Sequence, residues 1–300
     1  MMKKFLLMSI LAATTAGLWA GPDSREGTGR PPGSGWTADL STFHSGSADL
    51  DSGGDFTIAS VRFKTGYSWT SSTQSRSSVE LYFDWRDYNF DGLFDPWSTV
   101  FETGLSYSYN HDFGNDWSLM LTPSIRISME DGADLSDSLQ AGGIFAFTRE
   151  ISPALRLGIG AGVFTGLEDT SAFPFLLIRW QIDEHWYVGN PFAPGPVGPA
   201  GLELGYRYNN QWSFAIGGAY RSDRFALRDD GLWANGYGEV EGTPVFLRAS
   251  YNTGSGSRVH LYLGTILSGE LQIDDSRGRK WLKTDYDPSL LLALAWQGRF

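Results

Sequence analysis

The carboxy-terminal segment of the chain places the strongest constraint on its fold. It reads PSLLLALAWQGRF and ends at Phe300. Because successive side chains of a β-strand point to opposite faces, alternate residues of this segment share one face. That face is almost entirely apolar, and it comprises Leu290, Leu292, Leu294, Trp296, Gly298 and Phe300. The segment therefore predicts a strand that runs to the last residue.

A strand at the very end of a chain needs a partner, because termini fray unless they are tied into a sheet. In a bilayer the need is stricter, since an open strand edge leaves backbone groups without hydrogen bonds. We therefore expect the terminal strand to close a membrane barrel by pairing with a first strand near Trp36. The alternative is a carboxy-terminal strand in a soluble β-sandwich.

The amino-terminal residues 1–20 have the pattern of a secretory signal peptide. Lys3 and Lys4 precede an apolar stretch, and Ala20 is a small residue suited to precede the cleavage site. Residues 21–35 are rich in Gly, Pro and Ser and predict a flexible lead-in. The chain has no Cys, so it carries neither a disulfide framework nor a lipid-anchoring cysteine. No later run is apolar over the roughly 18 residues that a transmembrane helix needs.

Composition favours a membrane barrel over a soluble β-domain. Aromatic residues make up 15% of the chain, which contains 37 Gly, 12 Trp and 13 Tyr. Transmembrane strands have this character because their lumen face is polar and their interfacial belts are aromatic. The net charge of −11 argues against a nucleic acid as partner, since such a partner requires a basic surface.

From Trp36 onward, apolar and polar residues alternate with period two in segments of about ten to fifteen residues, which is typical of tilted membrane strands. Short connections alternate with long ones, as in outer-membrane barrels. The short turns are predicted at 111–115, 150–153, 183–185, 209–211 and 252–257. The longer loops are predicted at 45–54, 89–97, 131–137, 166–171, 190–199, 224–238 and 274–285. This division predicts one all-β, up-and-down antiparallel barrel over 36–300 with fourteen strands, or twelve if the short segment 186–192 does not pair.

The signal peptide, the alternation and the terminal aromatic residue resemble those of Gram-negative outer-membrane β-barrels. This resemblance implies location in the outer membrane and recognition of the last strand by the barrel-assembly machinery, with Trp296 and Phe300 as the recognised residues. Gly298 departs from the terminal pattern, where an apolar side chain is usual. The carboxy-terminal third is similar to an uncharacterised porin-like barrel family, which implies no established activity. The matching segments read GLELGYRYNNQWSFAIGGAYRSDRFALRDDG and YDPSLLLALAWQGRF.

Alternation also assigns the charged residues to faces and predicts an arginine-lined lumen. The candidate lumen residues are Arg62, Arg86, Arg126, Arg156, Arg179, Arg207, Arg221, Arg248 and Arg258. Guanidinium groups bind carboxylates and phosphates in bidentate fashion, so such a lumen favours small anionic or polar solutes. The alternative is that these arginines pair with Glu80, Asp84, Glu102 and Glu203 and fill a closed interior.

Three other function classes stay open. A lipid-modifying enzyme is the least favoured, because the sequence has no activated-serine motif and only His44 lies where such chemistry could occur. A transporter of hydrophobic substrates is suggested by Phe164, Phe173, Phe175 and Leu177 on the nominal inner face. A structural or adhesive barrel would use the loop 224–238 as its contact.

The sequence thus predicts a porin-like outer-membrane barrel without a catalytic residue, cofactor or metal. Its expected partners are outer-membrane lipid and lipopolysaccharide, with the barrel-assembly machinery during biogenesis. Both a monomer and a trimer are compatible with the sequence.

Overall fold

The structure is a computed structural model that describes residues 34–92, 95–190, 201–254 and 256–300. The predicted signal peptide lies outside these residues, as do most of the lead-in and most of the predicted loop 190–199. Within the described ranges, no helix has the length and apolar character that crossing a bilayer requires. The helix α1 (Leu135–Ser138) lies in a connection between strands.

Strands account for most of the described chain. Those of its first half are β1 (Gly35–Asp49), β2 (Asp55–Ser72), β3 (Ser75–Asp91), β4 (Thr99–Asp112), β5 (Trp117–Glu130), β6 (Leu139–Ser152), β7 (Leu155–Gly166) and β8 (Asp169–Gln181). Those of its second half are β9 (Trp186–Gly189), β10 (Gly201–Arg207), β11 (Trp212–Ala219), β12 (Arg221–Ala226), β13 (Tyr237–Asn252), β14 (Ser257–Asp274), β15 (Lys280–Tyr286) and β16 (Ser289–Arg299).

Two pairs of these segments are single long strands with a break. Gly218 of β11 faces Val245 of β13, and Arg221 of β12 continues the same register opposite Gly242. In the same way, β15 and β16 are two parts of one strand that pairs with β14, with a break at residues 287–288. The sixteen segments therefore form a closed antiparallel barrel of fourteen strands.

The first and last strands close the barrel, as the terminal segment predicts. Strand β1 pairs with β16 from Thr37 opposite Arg299 to Ser45 opposite Leu291. Beyond this ladder, the amide of Trp36 donates to the carbonyl of Phe300 at 3.0 Å, and the Phe300 amide donates to the Trp36 carbonyl at 2.9 Å. The last residue of the chain is thus held by two backbone hydrogen bonds.

The short strand β9 takes part in the wall. It pairs with β8 on one side and with β10 on the other, so the prediction of fourteen strands is confirmed and the alternative of twelve is wrong. Just after β9, the side chain of Asn190 replaces a peptide group. Its Oδ1 accepts from the amide of Ile178 at 2.8 Å, and its Nδ2 donates to the carbonyls of Leu176 and Gly201 at 3.1 and 2.9 Å. One side chain thus continues the ladder beyond the end of the strand.

The wall has an apolar outer face and a more polar inner face. On β16, Leu290, Leu292 and Leu294 are exposed, whereas Leu291 and Ala293 are buried. The same alternation along the other strands exposes a belt of large apolar side chains, with Trp residues such as Trp117, Trp180 and Trp212 near the short turns. This is the surface that lipid contact requires.

Several inward glycines make room for tyrosine rings on the neighbouring strand. A Cβ on Gly104 would lie 2.6 Å from the ring of Tyr82, and one on Gly205 would lie 1.9 Å from the ring of Tyr187. Gly298 has the same function on the outer face, because a Cβ there would meet the ring of Trp296 at 2.6 Å. The departure from the usual terminal pattern at Gly298 therefore has a packing reason.

Five of the predicted loops are wrong in extent. The predicted loop 45–54 begins inside β1, and the predicted loop 89–97 begins inside β3. The predicted loop 166–171 is a turn of two residues, Leu167 and Glu168, which both have positive φ. The predicted loop 274–285 contains most of β15, and the predicted loop 224–238 begins inside β12. In most of these stretches, polar and small residues favour a loop, although the backbone pairs as a strand.

Filling the space beneath Tyr187 is expected to destabilise the barrel. The Gly205→Val variant displaces the Tyr187 ring, and overpacking of this kind costs about 1–3 kcal/mol. We expect a lower midpoint of heat-induced unfolding, followed by the loss of the fast-migrating folded band on unboiled SDS gels.

The matched control is Gly189→Ala on the adjacent strand β9. A Cβ there meets only the Ile178 carbonyl oxygen, at an ordinary 3.4 Å. Equal midpoints for the two variants would contradict the packing argument.

Candidate functional site

The lumen holds the nine arginines predicted to line it. Strand alternation directs them inward, because their sequence neighbours, such as Val61 and Phe63 beside Arg62, are exposed on the outer face. They divide into two groups by height. Arg62, Arg86, Arg126, Arg221 and Arg248 lie between the two ends of the barrel. Arg156, Arg179, Arg207 and Arg258 lie at the short-turn ends of their strands.

Arg86 is the centre of a buried ion-pair cluster. Its Nη2 lies 2.9 Å from Asp84 Oδ2, 3.1 Å from Glu102 Oε2 and 3.4 Å from Asp223 Oδ1. The hydroxyl of Tyr82 donates to the other oxygen of Glu102 at 2.8 Å. Because Asp223 belongs to β12, this cluster joins the wall to a segment inside the lumen. We call Arg86, Asp84, Glu102 and Asp223 the Arg86 cluster.

Two further arginines supplement this cluster. Arg126 lies 3.9 Å from Glu102 and contacts Gln140, and Arg221 pairs with Asp223. The guanidinium of Arg221 also stands over the ring of Phe43, 5.1 Å from its centre. Positive and negative groups are therefore interleaved across this part of the lumen.

Lys64 forms a second buried pair in the wall formed by β1, β2 and β3. Its Nζ lies 2.9 Å from Asp39 and 3.9 Å from Glu80. Nearby, Arg62 places its guanidinium 4.7 Å from the centre of the Tyr82 ring. Lys64 therefore lies between two carboxylates, and Asp39 is its direct cross-strand partner.

Arg248 forms a third cluster with residues of β9, β10, β13 and β14. Its Nη2 donates to Glu203 at 2.7 Å and to the hydroxyl of Tyr187 at 3.0 Å. Its Nη1 contacts Ser250, whose hydroxyl lies 2.7 Å from Nδ1 of His260. The sequence pattern does not predict this serine–histidine contact, although Ser250 and His260 are direct cross-strand partners. Both side chains are buried, with only 2% exposed.

The one histidine considered for catalysis lies elsewhere. His44 is exposed on the outer face of β1, whereas its neighbour Ser45 is buried on the inner face and accepts from the amide of Ile58 at 2.9 Å. The structure therefore separates these two side chains. Among the described residues, no three His, Asp or Glu side chains are grouped so as to hold a metal ion.

Inward arginines also gather at the short-turn end of the barrel. We call them the basic rim; they are Arg76, Arg156, Arg179, Arg207, Arg258 and Arg299. Arg156 and Arg179 are direct cross-strand neighbours on β7 and β8. Glu150 binds Arg156 at 2.7 Å, and the carbonyl oxygen of Glu184 accepts from Arg207 at 3.1 Å.

One sector of the inner wall is apolar. It is formed by the inward residues of β5–β8, and its members are Met120, Ile144, Ala146, Phe164, Phe173, Phe175 and Leu177. The rings of Phe173 and Phe175 lie over Gly162 and Gly160, where a Cβ would come within 2.5 and 2.4 Å of them. We call this sector the apolar wall. The inner-face position predicted for its aromatic residues agrees with their burial.

A four-stranded part of the sheet bends into the lumen at the long-loop end. We call it the inner sheet; it comprises β12, residues 237–242 of β13, residues 269–274 of β14, and β15. Contacts across the barrel hold it in this direction. They include the Arg86 cluster on β3, a parallel bridge between Ala226 and Met129 of β5, and an ion pair at 3.4 Å between Arg228 and Glu130 of β5. Strand β5 is not a neighbour of β12 in the barrel wall.

The inner sheet is packed on both faces. The face toward β1–β4 carries Phe225, Val240 and Leu271, which join a core with Trp97 and Tyr88. On the other face, Arg224 binds Asp274 at 2.6 Å and Glu239 at 3.2 Å. Phe225 is fully buried, so it is not available as the external contact predicted for an adhesive loop.

Turns at both ends of the barrel are fixed by carboxylates outside the membrane-spanning segments. Hydrogen bonds from the Arg279 side chain and amide lower the pKa of Asp275 to about 2 in the turn between β14 and β15. At the opposite end, the amides of Trp186 and His185 donate to Asp183 and lower the pKa of its carboxyl group. Both carboxylates therefore stay ionised at neutral pH and hold their turns.

Comparison with solved structures supports the architecture. The crystal structure of the COG4313 outer membrane channel from Pseudomonas putida F1 matches with a TM-score of 0.52 and 10% identity, over 90% of this chain and 96% of that chain. The toluene transporter TodX from P. putida matches with a TM-score of 0.47 and 8% identity, over 90% of this chain and 91% of that chain. At these identities the first match establishes a shared fold alone.

Sequence comparison adds a family assignment. No curated protein matches the chain. A family model described as "Domain of unknown function (DUF6268)" matches residues 67–295, which include most of the barrel wall and the whole inner sheet. The chain therefore belongs to the DUF6268 family.

Proposed function

We propose that this protein is an outer-membrane channel for small polar solutes with a preference for anions. The observation that carries the proposal is the basic rim, where arginines of β3, β7, β8, β10, β14 and β16 face one mouth of a closed barrel. Short turns of outer-membrane barrels face the periplasm, which places the rim at the periplasmic mouth. Rings of arginine side chains select anions in pores of this kind.

Deeper in the lumen, positive and negative charges lie close together, so we expect a weak net electrostatic field there. Lys64 lies between Asp39 and Glu80, and Arg248 binds Glu203, so both of these mid-height cations have carboxylate partners. Arg86, Arg126 and Arg221 are likewise interleaved with acidic residues. We therefore expect selectivity by charge to arise at the rim, which has six inward arginines and where Glu150 pairs with Arg156.

The outer surface supports the proposed location. An apolar belt with Trp residues near the turns fits a bilayer, and the acidic loops suit an exterior that contacts lipopolysaccharide through divalent cations. In this proposal Trp296 and Phe300, whose rings flank Gly298, are read by the barrel-assembly machinery.

Removal of rim charge is expected to weaken anion selectivity. The test is the reversal potential across a planar bilayer under a low-salt KCl gradient, for the native chain and for the Arg156→Gln, Arg179→Gln, Arg258→Gln triple variant. In water, one charge about 10 Å from the pore axis changes the local anion concentration about twofold, so three charges change it about eightfold before screening by salt. We expect the anion-to-cation permeability ratio to be at least about fivefold lower in the variant.

The matched control is Arg149→Gln. Arg149 lies at the same end of the barrel but faces outward, over the ring of Trp117 at 5.5 Å. It should leave the reversal potential unchanged. A native chain that prefers cations, or one that conducts nothing, would overturn the proposal.

A second candidate function rests on the apolar wall. Phe164, Phe173 and Leu177 present an apolar surface inside the lumen, which suits a hydrophobic solute. The probe is naphthalene, titrated by calorimetry against the protein in amphipol, with an amphipol blank. The double variant Phe173→Ser, Leu177→Ser should weaken binding by about tenfold or more, because each side chain contributes about 1–2 kcal/mol of apolar contact.

Leu176→Ser is the control for this titration. Leu176 lies on the same strand but faces outward, with 67% of its surface exposed. If this variant weakened binding as much as the double variant, the probe would bind on the outer surface and this candidate would fail.

A further inference from the structure

We propose that the barrel wall has a fixed side opening between β8 and β12, through which hydrophobic solutes dissolved in the bilayer reach the apolar wall. We call this opening the window. The inference rests on the second candidate function, which places a site for hydrophobic solutes on the apolar wall. Strand lengths, hydrogen bonds and burial define the window independently of any solute.

Two adjacent short strands leave one edge of β8 without a neighbour. Strand β9 ends at Gly189, and β10 begins at Gly201, opposite the last residue of β11. Among the described residues, β8 therefore has no strand partner on this side above Asn190, over residues 169–175. Its other side stays paired with β7 over the whole of this length. The unpaired edge is about 20 Å long at about 3.3 Å per residue.

Strand β12 forms the opposite side of the window. It leaves the wall after Tyr220, and it pairs with β13 on one side and with Met129 alone on the other. Backbone hydrogen bonds of 3.0, 2.9 and 3.2 Å fix the inner sheet in this position; they join Asp51 to Asp285, Asp287 to Asp49, and Asp229 to Gly132. Since β9 and β10 separate β8 from β11 at the floor of the window, its width there is about 14 Å.

The window is closed at its lower and upper ends. At the lower end, the side chain of Asn190 donates to the carbonyls of Leu176 and Gly201 on the two sides. At the upper end, Leu167 of the β7–β8 turn packs on Ala226 of β12, and both residues are buried. The opening therefore has a complete frame and does not merge with the long-loop mouth.

The unpaired edge of β8 has substitutes for a neighbouring strand. Lipid offers no hydrogen bonds, so the polar groups of such an edge must be removed or satisfied in other ways. Alternate residues direct their backbone groups to this side, among them Ile178, Pro174 and Thr170. The amide of Ile178 donates to Asn190, Pro174 has no amide, and the amide of Thr170 donates to Asp169 Oδ1 at 2.7 Å. Proline inside a strand is typical of an unpaired edge, so the sequence is consistent with the window.

The window lies at the height of the apolar belt on the outer surface. Leu176, at its floor, lies opposite Ile159, and both are exposed on the outer face. Nearer the long-loop end, Ala172 lies opposite Val163, and these two residues are also exposed. The bilayer therefore faces the window.

The apolar wall lies directly inside the window. Phe173 and Phe175 belong to the edge strand itself, and the ring of Phe173 stacks with that of Phe164, with 6.3 Å between the ring centres. Phe173 is buried, whereas Phe175 is partly exposed. A solute that enters from the bilayer thus meets aromatic rings without passing the basic rim or the Arg86 cluster. This route suits an uncharged, hydrophobic solute.

The absence of cysteine from the chain allows a spin-label test of the window. A nitroxide is attached to Phe175→Cys in liposomes, and electron paramagnetic resonance measures its collisions with O₂, an apolar solute of the bilayer, and with a water-soluble nickel chelate. We expect the ratio of O₂ to chelate collisions to be at least about fivefold higher than for Phe43→Cys, because the bilayer core excludes the polar chelate. Phe43 is the matched control, since it is also inward and buried but lies on β1, which is paired on both sides.

Two further positions complete the experiment. Ala172→Cys, on the outer face of β8, gives the ratio for full lipid contact, and the ratio at position 175 should approach it. Phe173→Cys supplies a second inward position on the same strand if Phe175→Cys does not fold. Equal ratios at positions 175 and 43 would overturn the window, whatever the naphthalene titration gives. Lipid contact at position 175 without naphthalene binding by the native chain would support the window and overturn the hydrophobic-solute function.

Discussion

Closure of the backbone ladder is the constraint on which the rest of the structure depends. An apolar surface that faces lipid offers no hydrogen bonds, so each strand edge must find another strand. The two backbone hydrogen bonds between Trp36 and Phe300 complete the closed barrel at the end of the chain. Once the barrel is closed, the alternation of side chains determines which of them face lipid and which face one another across the lumen. The ion pairs, the apolar wall and the inner sheet are all consequences of that division.

The interior shows how a barrel of this size can be neither empty nor uniformly packed. Side chains of the Arg86 cluster and the Lys64 and Arg248 pairs satisfy charges that would be costly if buried alone. The inner sheet fills the sector beside β1–β4 with apolar packing, while the sector beside β5–β8 presents its own apolar wall. Six inward arginines form the basic rim at the turn-side mouth. In the part of the chain that the structure describes, a folded-in portion of the barrel's own wall occupies part of the lumen.

Much of this architecture could be predicted from the sequence, because period two is strong where one face meets lipid. The closing strand, the number of strands and the inward position of the arginines follow from that pattern. The inner sheet does not, because Phe225, Val240 and Leu271 lie in strands covered on both faces, where alternation disappears. The alternation predicts which face of the wall a side chain occupies, but neither its height in the barrel nor the residues that it contacts. For this reason the contact between Ser250 and His260, and the pairing of Asp39 with Lys64, became visible only with the strand register.

The amide of Asn190 has a consequence for how such a wall can change over evolutionary time. A strand of four residues ends at Gly189, and one side chain supplies the next rung to Ile178 and Leu176 on one side and to Gly201 on the other. The height of a barrel wall is therefore not tied to the length of every strand. An asparagine at a strand end therefore allows one strand of the wall to be shortened by substitution, without an insertion or deletion. The neighbouring strands keep their hydrogen bonds at the level of the asparagine side chain.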